Sequence, residues 1–115
     1  MSFNNPINFN SANELREAGY VPVGIEQNAL LTNCGFEPAQ PNPIGPRFWY
    51  PAHIAGIVTG SFIATQRVAI LRAIAADPEF EAALYAVWVG YGRSTADGWH
   101  AVSKYIYEAL PELFE

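Results

Sequence analysis

Cysteine is almost missing. Cys34 is the only one in 115 residues, which excludes an internal disulfide framework and a Cys-rich zinc site. Charge is scarce as well: Asp, Glu, Lys and Arg make up 15% of the chain, against about a quarter in an ordinary globular domain. Basic residues are the scarcer sign, 6 against 11 acidic. The resulting net charge of −5 argues against a direct nucleic-acid partner held through its phosphates. Long apolar runs are missing too. The most apolar stretch, Ala52 to Ala64, is interrupted by Gln66 and Arg67, short of the ~20 residues a membrane span needs, so no membrane partner is expected. The opening Met-Ser-Phe-Asn-Asn-Pro-Ile-Asn-Phe-Asn has neither the basic nor the apolar region of a secretory signal. A cytoplasmic protein is expected, or one assembled in a particle such as a virion.

What is present is apolar. Hydrophobic residues account for 50% of the chain and aromatics for 14%, which excludes a wholly disordered polypeptide. The length fits one domain. Its character changes near residue 51: all eight Asn lie at or before Asn42, and seven of the nine Pro at or before Pro51. Residues 1–51 therefore read as an extended arm, a short helix and a Pro-rich linker. Residues 52–115 read as a helical body within the same domain.

In the arm, Phe3, Ile7 and Phe9 alternate with Asn and form an apolar edge suited to docking on a neighbouring surface. Ser11-Ala-Asn-Glu14 is a capping box, opening a short helix that Gly19 ends. Tyr20–Val23 contains Pro22 and can be an edge strand only. Residues 25–31 fit a helical turn or a strand equally well. Pro38 to Pro51 holds five Pro in 14 residues. Polyproline geometry would stretch it over about 40 Å, so it is expected to wrap a surface and not to form a core element. Within it, Arg47-Phe48-Trp49-Tyr50 has the aromatic and Arg content of an interface hot spot. The same residues would also serve as a clamp on the chain's own helices.

Ala52 to Ala76 reads as one helix, about 38 Å long. Ala52, Gly56, Gly60 and Ala64 sit four apart and would form a ridge of small residues that admits a second helix closely. Its other positions are apolar nearly all round, and a helix apolar on every side must be covered on every side. Partner subunits are expected to complete that cover. Asp77-Pro78-Glu79 restarts a helix, carried on by Phe80, Leu84, Val87 and Trp88, so the two helices form a hairpin. Ser94, with Asp97 three residues on, is placed as the cap of a third long helix along Trp99, Val102 and Ile106. The fold class is mainly α.

Chemistry is thinly marked. Cys34 has no adjacent base in any recognisable motif, and His53, His100 and Asp97 satisfy no ligand spacing. A local hydrogen bond near the helix start is expected of His53. No catalytic residue, metal or cofactor is assigned, and the chain is not expected to be an enzyme. Gly90 to Thr95, with Arg93 ahead of a helix N-terminus, is a fragment of an anion site, although a stopped and a recapped helix explain every residue of it.

The expected function is a structural subunit that associates with copies of itself and with other subunits of an assembly. Arm and compact apolar body together have the design of interlocking virion, shell or connector proteins. The alternative is a small binding protein or enzyme whose pocket, built from Trp88, Tyr91, Arg93 and Trp99, takes an anionic small molecule. A third possibility is a membrane-associated helical protein.

Overall fold

The computed structural model describes residues 11–39, 48–60 and 62–114. The arm anchors Phe3, Ile7 and Phe9, and Arg47 of the linker, lie outside these residues. Among the described residues the chain is mostly helical, with six α-helices and two short strands.

Helix α1 (Ala12–Glu17) begins at the capping box, the Ser11 hydroxyl accepting from the Glu14 amide at 3.2 Å. Strand β1 (Tyr20–Val23) follows, then helix α2 (Ile25–Cys34). The stretch that periodicity leaves open is thus helical, and it ends at Gly35, whose φ of 109° favours glycine. Strand β2 (Phe48–Pro51) pairs antiparallel with β1, Tyr20 opposite Pro51 and Val23 opposite Phe48. Pro22 lies opposite Trp49 and brings no N–H to the ladder. The Trp49 amide and carbonyl turn to the other side instead and bond Ala39 at 3.2 and 2.9 Å.

This pairing corrects the expectation that the Pro-rich segment stays out of the core. Trp49 is 3% and Tyr50 0% exposed. The Tyr50 hydroxyl donates to Asn28 Oδ1 at 2.6 Å, and burial pushes its pKa up to about 12. Trp49 joins Leu15 and Tyr20 in a small second core beneath α1, with the Arg16 guanidinium 5.1 Å from its ring. Residues 48–51 are a clamp on the chain itself. Proline content marked the segment as irregular, but its aromatic residues lie on an extended strand, with Trp49 and Tyr50 buried and Phe48 half-buried.

The expected helix from Ala52 to Ala76 is two helices, α3 (Ala52–Thr59) and α4 (Ala64–Ala76). The break has visible causes. The Thr59 hydroxyl bonds back to the Ala55 carbonyl at 3.0 Å, a bond that tends to bend helices. Gly60 leaves the helix with extended backbone. The Arg67 guanidinium then donates to the carbonyls of Gly60 and Phe62 at 2.9 and 2.7 Å, satisfying acceptors that a continuous helix would have used internally. The break also explains the all-round apolar pattern. Helix α3 buries His53, Ile54, Ala55, Ile57 and Val58, and α4 buries Ile70, Leu71 and Ile74. Each piece aims its own stripe at one intrachain core, so these positions need no partner subunit to cover them.

Helix α5 (Pro78–Gly90) starts as the sequence indicates, with an Asp77 carboxylate oxygen accepting from the amides of Glu79 and Phe80 at 3.0 and 3.3 Å. Helix α6 (Ala96–Ala109) starts one residue later than expected. Thr95, not Ser94, is its cap, accepting from the Gly98 amide at 3.2 Å. Helices α5 and α6 form the most extensive helix pair. Val102 and Ile106 of α6 enter the main core beside Ile54, Leu71 and Leu84. A single 3₁₀ turn, Pro111–Phe114, closes the described chain.

Candidate functional site

Helix α3 has two unlike faces. Ile54, Ile57 and Val58 are 0–3% exposed on the inner face. The outer face is made of small side chains: Ala52, Gly56, Thr59, and then Gly60 at the end of the helix. The space beside Gly56 is used within the chain. A methyl group built there would strike the Trp99 ring of α6, so only glycine lets the indole lie across this helix.

Two open clefts flank this stretch and share Gly56 and Thr59. The first, of about 430 Å³, runs between α3 and α6 and is lined by Ile57, Phe62, Trp99, Val102, Ser103 and Tyr107 among others. The second, of about 420 Å³, lies toward the β1–α2 turn, with Val21, Val23, Gln27 and Ser94 on its wall. Beside the first cleft, Tyr107 packs edge-on against Phe114 with ring centres 4.3 Å apart, and Phe62 sits 6.1 and 6.3 Å from these two rings. Much of this apolar surface is open to solvent: Ile63, next to Phe62, is 60% exposed and Tyr107 49%.

The four small residues expected to make one ridge are divided by this geometry. Ala52, Gly56 and Gly60 belong to α3 and its end. Ala64 begins α4 beyond the break, and no continuous ridge runs through all four. Of the aromatic interface residues, Phe48 is half-buried, while Trp49 and Tyr50 are interior and unavailable to a neighbour.

The pocket expected from Trp88, Tyr91, Arg93 and Trp99 is not assembled. Trp88 is in the core, 5.9 Å from Trp99. Tyr91 is 62% exposed and lines a different cleft with His100, Lys104 and Tyr105. Arg93 stands on the exposed loop with a φ of 59°, its amide donating to the Trp88 carbonyl at 2.7 Å. The loop does what a stop and a restart require. Among the described residues no group of three His, Cys, Asp or Glu side chains could hold a metal. The Cys34 thiol is buried, 3.9 Å from the Val68 carbonyl. Burial pushes its pKa up, opposed in part by Arg72. That is the reverse of an activated nucleophile.

Sequence reasoning missed the role of His53. Its imidazole, near the start of α3, lies fully inside the body. Nε2 is 4.0 Å from Oε1 of Glu81 on α5, and the ring centre lies 5.2 Å from Tyr85 and 5.7 Å from Trp88. Desolvation lowers the His53 pKa to about 4, so the ring is neutral at pH 7. Burial raises the pKa of Tyr20, and the Glu81 charge adds to the rise. A His and a Glu on separate helices obey no spacing rule. The one available signal was that Glu81, unlike Glu79, falls one turn before the apolar Leu84 and Tyr85 of α5.

No helix among the described residues is long and apolar enough to cross a membrane. Comparison of the chain with protein-family models, curated proteins and solved structures returned no match.

Proposed function

We propose that the chain is a non-enzymatic structural subunit that associates with copies of itself, and that the outer side of α3 and the adjoining end of α6 form the contact. The observation that carries this reading is the apolar surface beside the open cleft over Gly56, where the exposed Ile63 and Tyr107 adjoin the half-buried Phe62 and Phe114. Aromatic residues around a central pocket are what interface hot spots are made of. With only 15% charged residues, the chain has little else with which to keep copies apart. This argument replaces the one from an all-round apolar helix, which the break at Gly60 removes.

The N-terminal arm belongs to the same proposal. Phe3, Ile7 and Phe9 alternate with Asn in a segment without charged side chains, and such anchors recover the entropy of ordering an arm only by being buried against something. Their place is on the neighbouring copy. Subunits that exchange arms in this way suit a shell or connector, and a virion component is one such case.

The test uses sedimentation velocity on the full chain, on an Ile63→Lys and Tyr107→Glu double variant, and on a chain lacking residues 1–10. The double variant should sediment as a smaller species with unchanged helical content. Removing the arm should weaken the association without abolishing the fold. If both sediment as the unaltered chain does, neither the patch nor the arm is an interface.

A further inference from the structure

Open clefts on the described surface differ in charge. The one between α5 and α6 is lined by Asp97, His100, Lys104 and Glu108. The two that flank α3 are lined without Asp, Glu, Lys or Arg among the described residues, and they share Gly56 and Thr59. Of these two, the cleft between α3 and α6 is the aromatic one, with Phe62, Trp99 and Tyr107 in its lining. The first ten residues of the chain have matching chemistry: Phe3, Ile7 and Phe9 among Asn, with no charged side chain. We propose that the cleft between α3 and α6 receives Ile7 and Phe9 of a neighbouring copy, so that copies are joined by exchange of their N-terminal segments. This seat rests on the self-association proposed above and fixes which part of one copy enters which part of the next.

Charge selects the cleft. A segment without charged side chains lying over Asp97, Lys104 and Glu108 would take water from those groups and give them no opposite charge in return. Along α3 it meets apolar and hydroxyl groups, whose cover carries no such cost. Size agrees. A cavity of about 150 Å³ takes one benzene ring, so the cleft between α3 and α6, of about 430 Å³, has room for two anchors. In an extended occupant, positions 7 and 9 face the same side about 6.6 Å apart. Position 3 faces that side too, about 13 Å beyond position 7, and the second cleft, which continues past Gly56 and Thr59, lies open to it. Reach agrees as well. The segment ends at Ser11, the cap of α1, and ten extended residues span up to about 33 Å, enough to pass from one copy to the next.

The experiment is photo-cross-linking of the full-length chain with p-benzoylphenylalanine in place of Phe9, which keeps an aromatic anchor at that position. It is mixed with an excess of isotope-labelled wild type, irradiated, and the cross-linked peptides are mapped by mass spectrometry. The native mass of the same mixture is read by light scattering. Cross-links should fall on α3 or α6 of the labelled copy. Ser103→Arg in the labelled copy places a charge in the cleft and should cut their yield by about tenfold or more. In an oligomeric mixture, cross-links that stay within the carrying chain, fall on other elements or do not form overturn the seat and leave self-association standing. A monomeric mixture overturns both.

Discussion

The two faces of α3 differ in what they touch more than in how apolar they are. The inner face packs Ile54, Ile57 and Val58 against Leu71, Leu84 and Ile106, with His53 sealed beside them. The outer face carries small residues and opens onto two clefts. The same helix is thus a core element on one side and a contact surface on the other. The difference teaches that small side chains in this chain serve two ends. Gly56 admits the chain's own Trp99, and the shallow surface left around it is what a neighbouring copy can approach.

The comparison can be broken from the inside first. Ile54→Ala deletes atoms from a fully buried site and should destabilise the chain by about 2–5 kcal/mol in urea denaturation. A smaller loss would mean that the inner face packs loosely. At the border between the faces, Gly56→Ala drives a methyl group into the Trp99 ring and should cost about 1–3 kcal/mol. Its partner substitution, Trp99→Leu, should reduce that penalty, and a double-mutant cycle in which the two effects simply add would show that the ring does not lie over Gly56. Away from both faces, Asp77→Ala removes the acceptor of two amides at the start of α5 and should cost about 1 kcal/mol. Least of all for stability is the exposed Ile63, which caps α4 just beyond the outer face of α3. Ile63→Ser should leave the unfolding midpoint within about 0.5 kcal/mol of wild type, while shifting the distribution between monomer and larger species. A large loss of stability would place Ile63 in the core and remove it from the contact.

Legibility followed the range of the signals. Local ones read well: the Ser11 box, the Asp77 cap and Pro22 as an edge residue are found where the sequence puts them. Each is decided by bonds within a few residues. The break at Gly60 was not legible, because it depends on Arg67 reaching back to two carbonyls, and an apolar run looks the same whether it covers one helix or two. Trp49 and Tyr50 were placed on a wrapping linker because prolines surround them, yet β1 and Ala39 supply partners on both sides of the strand. The His53–Glu81 pair was invisible for the same reason: it exists only once α3 and α5 meet. At the aromatic pocket the error was of another kind. Trp88, Tyr91, Arg93 and Trp99 are close in sequence, but the turn after α5 sends Tyr91 and Arg93 outward, leaving Trp88 in the core and Trp99 half-buried on the wall of the cleft beside Gly56.

Self-association is the claim on which the functional account stands, and the native mass of the purified full-length chain tests it most directly. Light scattering over a dilution series should give a mass that is a multiple of 12.6 kDa and falls on dilution. A single species of 12.6 kDa at every concentration would contradict it.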